Sequence, residues 1–249
     1  MIDLEAAKSR VTGDIRKLNS RLLEISQRVE RELAGHSIAD TPPGLIVHAF
    51  FRKAVRTFHA IELLKKSHLF EESWILLRVL LETHVNLLFF LRHDPIEMTN
   101  RYLDAAILDK LKHLREVRFY EGGALAPLIR RADFEEAERQ IKERYSKEMF
   151  EALRKNGFSG LPFDSRSKKV GLRSMYEFCY RIASRSIHSF DPVETGVVGK
   201  YVEAKYRAEL LKSRRLSLES IANMLLGRIA FILARMITSP ISSQLLLLG

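Results

Sequence analysis

Between Leu69 and Leu91 the chain is apolar enough to cross a bilayer, yet it carries Glu71, Glu72, Arg78 and Glu82. Each of those charges is costly in hydrocarbon, so the stretch reads as a buried helix of a soluble protein. A helix of about residues 70 to 93 that is apolar nearly all round needs neighbours on every side. It belongs at the centre of a helical bundle.

The rest of the chain carries helical periodicity too. Val11, Ile15, Leu18, Leu22, Ile25 and Val29 step by four and three, an a/d seam that predicts a first helix from about residue 3 to 34, stopped by Gly35. Thr41-Pro42-Pro43 opens a second helix to about Ser67. A fourth runs from Pro95 to about Tyr120, and Asp133 reads as the N-cap of a fifth that ends near Asn156-Gly157. Residues 157–171 read as a basic loop. A sixth helix spans Leu172 to about Ser189, and a last one Leu216 to Thr238. Residues 191–213 are the least legible, with Val197, Val198, Tyr201 and Val202 able to form a short strand or a packed loop. The expectation is one all-α domain over residues 1–249, a bundle of about seven helices whose core lies at about 45–238.

Composition narrows the function classes. Hydrophobic residues are 46% of the 249, enough for a sizeable core, and the 12 Gly and 7 Pro exclude collagen-like and low-complexity chains. Cys179 is the single cysteine, so no intramolecular disulfide and no cysteine-rich zinc site can form. That usage, and an N-terminus without a signal-peptide pattern, point to the cytoplasm. No stable membrane association is expected. The net charge is +10, and residues 154–215 hold 14 Lys/Arg against 6 Asp/Glu. An excess so concentrated suits a polyanion, nucleic acid first and acidic membrane second, or else is a solvated face.

Several chemistries are missing. There is no Gly-x-x-x-x-Gly-Lys or Gly-x-Gly-x-x-Gly phosphate loop and no Gly-x-Ser-x-Gly elbow. None of the eight histidines has a glutamate three residues before it, which excludes the di-metal carboxylate pattern of helical bundles. His-Glu-x-x-His is also missing. No metal and no cofactor is expected.

Two polar stripes stand out on apolar helices. Arg78, Glu82 and Asn86 lie at i, i+4 and i+8 on the third helix. They form either a register-fixing buried network or the charged floor of a cleft. On the sixth helix Arg181, Ser184, Arg185 and His188 lie at i, i+3, i+4 and i+7. Two guanidiniums, a hydroxyl and an imidazole on one stripe suit an oxyanion or phosphate. Packing the two stripes together satisfies both, so Arg78 and Glu82 are expected to face Arg181, Ser184 and His188.

Leu77-Arg78-Val79-Leu80-Leu81-Glu82, taken with Tyr180-Arg181-x-x-Ser184-x-x-x-His188, resembles a bacterial family catalogued as domain of unknown function 5677. That resemblance implies the helical core and the site but no reaction. Arg181 and His188 also enclose six residues, which resembles the Arg-x4-6-His signature of HEPN domains. That likeness implies a metal-independent ribonuclease working as a dimer, with His188 as general acid or base, Arg181 neutralising phosphate, and Ser184 or Glu82 orienting the histidine. Arg78 and Arg185 would add binding charge, and Arg166, Lys168, Lys169 and Arg173 would track the RNA backbone. Two other readings stay open: a non-catalytic module that binds a small anion or nucleotide, and a dimeric scaffold built on the first helix.

Overall fold

The computed structural model describes residues 4–35, 40–117, 131–187 and 204–238, with side chains described over 17–32, 40–113, 135–180 and most of 206–234. Among the described residues there are nine helices and no strand: α1 Leu4–Ala34, α2 Pro42–Lys66, α3 Phe70–Leu91, α4 Pro95–Val117, α5 Arg131–Arg144, α6 Lys147–Asn156, α7 Phe163–Lys169, α8 Arg173–Ile187 and α9 Ala204–Thr238. The all-helical class is as expected; the helix count is higher than seven. The suggested strand residues 197–202 lie outside the described residues.

Local chemistry sets these ends. Thr41 caps α2, its Oγ1 accepting from Gly44 N at 3.2 Å, and two prolines fill the first turn, where their missing N–H groups cost nothing. His68 takes φ 62 in the turn from α2 into α3. The fifth expected helix is two. Tyr145-Ser146 breaks it, and Ser146 restarts it as the N-cap of α6 by accepting from Met149 N at 3.3 Å. Asp133 lies inside the first turn of α5 and is not its cap. The expected loop 157–171 contains α7. The last helix begins twelve residues before Leu216, because Ala204–Arg215 is rich in strong helix formers although it lacks an apolar stripe.

The chain divides into two compact units, residues 1–87 with 172–249, and residues 88–171; the boundary falls within α3. In the first unit α1, α2 and α9 pack on one another. Val47, Phe51, Ala54, Phe58 and Ile61 form the fully buried stripe of α2. Trp74, Leu77, Leu80, Leu81 and Val85 bury α3, and Leu218, Ala222, Leu225, Ile229 and Leu233 bury α9. Lys65 ties α2 to α9, with Glu62 at 2.7 Å and Glu219 at 3.1 Å, its side chain only 8% exposed.

The seam of α1 is used by halves. Leu22 and Val29 turn inward together with Asn19 and Ser26, whereas Leu18 and Ile25 are each 48% exposed. Gly227 receives Leu22: a Cβ there would lie 3.5 Å from Leu22 Cδ2.

In the second unit Leu108, Ile141, Phe150 and Leu153 form the core. Asp104, nearly buried on α4, accepts from Tyr145 Oη at 2.9 Å and pairs with Arg144 at 3.3 Å. Burial first, then that bond and charge, push the Tyr145 phenol up to about 12. The Phe158 ring meets Phe89, Phe90 and Tyr102 at centroid distances of 5.5 to 6.5 Å.

α3 and residues Leu211–Ala234 of α9 are each long and apolar enough to cross a membrane. A core helix meets the same measure, and half of the α3 residues are buried in the fold.

Candidate functional site

One turn of α3 separates Arg78 from Glu82, and the helix brings them together: Arg78 Nε donates to Glu82 Oε1 at 2.9 Å. The rest of the guanidinium turns to α8. Its Nη2 donates to Tyr180 Oη at 3.0 Å, and its Cζ lies 4.0 Å from the centroid of the Tyr180 ring. Tyr176, one turn earlier on α8, supports that ring at 4.7 Å. The result is a cation held by a carboxylate along its own helix and by a phenol across to another. The Arg78 side chain is 27% exposed and that of Glu82 36%. This is a wet, half-open arrangement, not the sealed network that the apolar setting of α3 allows.

Arg78, Glu82 and Tyr180 are thus brought together. Through Tyr180 the α3 stripe reaches α8. The side chains of Arg181, Ser184 and Arg185 lie outside the described residues, as does His188 altogether; their backbones up to Ile187 belong to α8. Tyr180 is the participant that spacing does not single out. It is visible in sequence only as part of the Tyr-Arg-x-x-Ser motif.

The basic segment splits by burial. Arg166 is only 8% exposed, and its Nη2 donates to the carbonyls of Leu161 at 3.1 Å and Asn156 at 3.3 Å. Its guanidinium lies between Phe158 and Phe163 at 5.7 and 5.6 Å. Arg166 therefore braces the turn from α6 to α7 and does not face solvent as a phosphate-tracking residue must. Lys168 and Lys169 are exposed on the last turn of α7. Arg173 is exposed on α8 and paired with Glu177 at 3.0 Å.

Two other reactive groups are set aside by burial. The Cys179 thiol, fully buried, is pushed up to about 12 and is no nucleophile at neutral pH. His84 is also fully buried; burial, and then the charge of Arg228, lower its pKa to about 4, so the ring is neutral. Neither of its ring nitrogens has a hydrogen-bond partner. Among the described residues no three His, Cys, Asp or Glu side chains are grouped to hold a metal ion.

A family model described as a family of unknown function, DUF5677, matches residues 44–192. The match takes in more than half of the chain. The chain belongs to the DUF5677 family. No curated protein and no solved structure matches it. The DUF5677 region runs from α2 through α8 and includes Arg78, Glu82, Tyr180 and the Arg181–His188 stripe, while α1 and α9 fall outside it. The likeness to HEPN ribonucleases finds no support in these comparisons. It rests on the Arg181/His188 spacing, with an apolar Ile182 where that family usually carries a polar residue.

Proposed function

We propose that this DUF5677 protein is a metal-independent endoribonuclease that acts at the α3/α8 polar seam. The observation that carries the reading is the half-open Arg78–Glu82–Tyr180 clamp, which sets a guanidinium beside the helix bearing Arg181, Ser184 and Arg185. The +8 segment over residues 154–215 supports a polyanionic substrate. In this reaction the ribose 2′-hydroxyl attacks the adjacent phosphorus and the P–O5′ bond breaks. His188 takes the hydroxyl proton, a proton is returned to the leaving 5′-oxygen, and a 2′,3′-cyclic phosphate remains. Arg181 stabilises the phosphorane charge, and Ser184 or Glu82 orients the imidazole.

Incubation with mixed RNA in the presence of a chelator tests this. Cleavage should persist, spare DNA and leave cyclic phosphate ends, and His188→Ala should abolish it with the circular-dichroism spectrum unchanged. Arg181→Ala should cost on the order of 10²-fold. Cleavage that survives His188→Ala overturns the mechanism. Binding of RNA without cleavage, or of a small anion alone, identifies a non-catalytic module instead.

A second element of the proposal is self-association as a twofold dimer in the cytoplasm. Its support is the outward half of the α1 seam, Leu18 and Ile25, together with exposed Met224 and Phe231 on α9.

A further inference from the structure

Phe178 is 47% exposed on α8, while its neighbour Cys179 is fully buried. It opens onto a groove of about 630 Å³ whose other wall is α9. Leu216 supplies a second apolar surface there. Ser213, Ser217 and Ser220 add three hydroxyls, and Lys212 and Glu209 one charge of each sign. The volume is that of a small-ligand site, and the lining is mostly neutral.

The geometry points to this groove as a subsite for an unpaired nucleotide, its base stacked on Phe178. Phe178 and Leu216 both line the groove, and an aromatic face accepts any base with little regard to sequence. Serine hydroxyls both donate and accept, so they can serve whichever base edge or sugar oxygen is presented. Glu209 accepts from an amine or a ribose hydroxyl, and Lys212 takes a flanking phosphate. A duplex keeps its bases stacked inside, so the groove selects single-stranded substrate. Phe178 and Arg181 have the i, i+3 spacing of one helix face, whereas Tyr180 and the Arg78 clamp lie about 200° round α8 from Phe178. The base would therefore sit on the α9 side of α8, and the strand would pass round the helix toward the α3 seam. This inference rests on the RNA reading above and names the class within it: single-stranded RNA, positioned by one stacked base.

The test uses Phe178→Trp. The only native tryptophan, Trp74, is 1% exposed, so the new indole reports on the groove. The probe is 2′-O-methyl oligoadenylate, which lacks the attacking hydroxyl and cannot be consumed. Titration should quench the new fluorescence, and a duplex of equal length should not. In a parallel anisotropy titration Phe178→Ala should bind the single strand about tenfold more weakly, the scale of one lost base stack. Binding by the wild type with no quench and no loss in Phe178→Ala overturns the subsite and leaves the ribonuclease reading standing. No binding of the single strand or of natural RNA by the wild type overturns both.

Discussion

A guanidinium that keeps a quarter of its surface in water and is held by a carboxylate and a phenol sits in a different energy regime from one sealed in a core. Removing one partner of a buried ion pair costs several kcal/mol, but water can take over the partners of Arg78. Arg78→Ala should therefore lower stability by only about 1 kcal/mol in urea denaturation. An Arg78→Ala/Tyr180→Phe double-mutant cycle should show coupling of about 0.5–1 kcal/mol, and additive effects would mean that the cross-helix bond contributes nothing. His84 is the opposite case, a ring without exposure and without partners. Its folded pKa, about 4, lies below the ordinary 6.5, so the unfolded chain binds the proton more readily. Stability is then fully present above about pH 6.5 and falls as pH drops toward 4, by roughly 3 kcal/mol over that window. His84→Leu should flatten this part of the pH profile and be near neutral at pH 7, since it replaces two unsatisfied nitrogens with carbon. An unchanged slope in the variant would locate the dependence elsewhere. Spacing alone makes the Arg78–Glu82 pair legible, because i and i+4 always meet on a helix. Tyr180 is not legible in that way, since its contact joins residues 102 apart, nor is the burial of His84, whose type fits a surface equally well.

At the scale of elements, periodicity finds a helix well and its rotation or interruption poorly. The start and end of α2, and the start of α4, are marked by Thr41, Ser67 and Pro95, residues whose chemistry acts locally. In α1 the heptad is evident from spacing, but only packing against α9 decides that Leu22 and Val29 face inward while Leu18 and Ile25 do not. The division of α5 from α6 hangs on one hydroxyl, with Met149 and not a glutamate at the third helical position, so the usual reciprocal capping pattern is missing. Ser146→Ala should accordingly cost about 1 kcal/mol, measured by thermal or urea unfolding. Arg166 shows how composition misleads: in sequence it is one more cation of a basic stretch, and in the fold it holds two carbonyls of the α6–α7 turn. Arg166→Ala should lower stability by about 2–3 kcal/mol and leave the RNA affinity of the still-folded protein unchanged. A protein of wild-type stability with weakened RNA binding would return Arg166 to the binding surface.

For the molecule as a whole, charge and unspent apolar surface bear on association. Leu18, Leu22 and Ile25 form one ridge of α1, and Met224, Gly227 and Phe231 one ridge of α9, and the two ridges meet where Leu22 packs on Gly227. Leu18 and Ile25 lie a turn before and after Leu22, and Met224 and Phe231 a turn before and after Gly227. Four apolar side chains are thus left open around a single helix crossing, Phe231 with 64% of its surface in water. Scattered exposed leucines need no explanation, but a cluster at heptad spacing on two packed helices is the surface a further pair of helices would cover. Asn19, Ser26 and Asn223 are buried in these same helices, each with a polar atom that has no hydrogen-bond partner, so helix rotation that hid the apolar ridge would not come at the expense of a satisfied polar face. Sedimentation at tens of micromolar should therefore give a dimer, a range in which modest interfaces assemble. Phe231→Asp should yield a folded monomer, because the side chain it replaces lies mostly in solvent. Cys179 is buried, so Ile25→Cys supplies the one accessible thiol and can report proximity between two copies by oxidative cross-linking. A wild-type monomer at these concentrations, with no cross-link from Ile25→Cys, would reject the dimer.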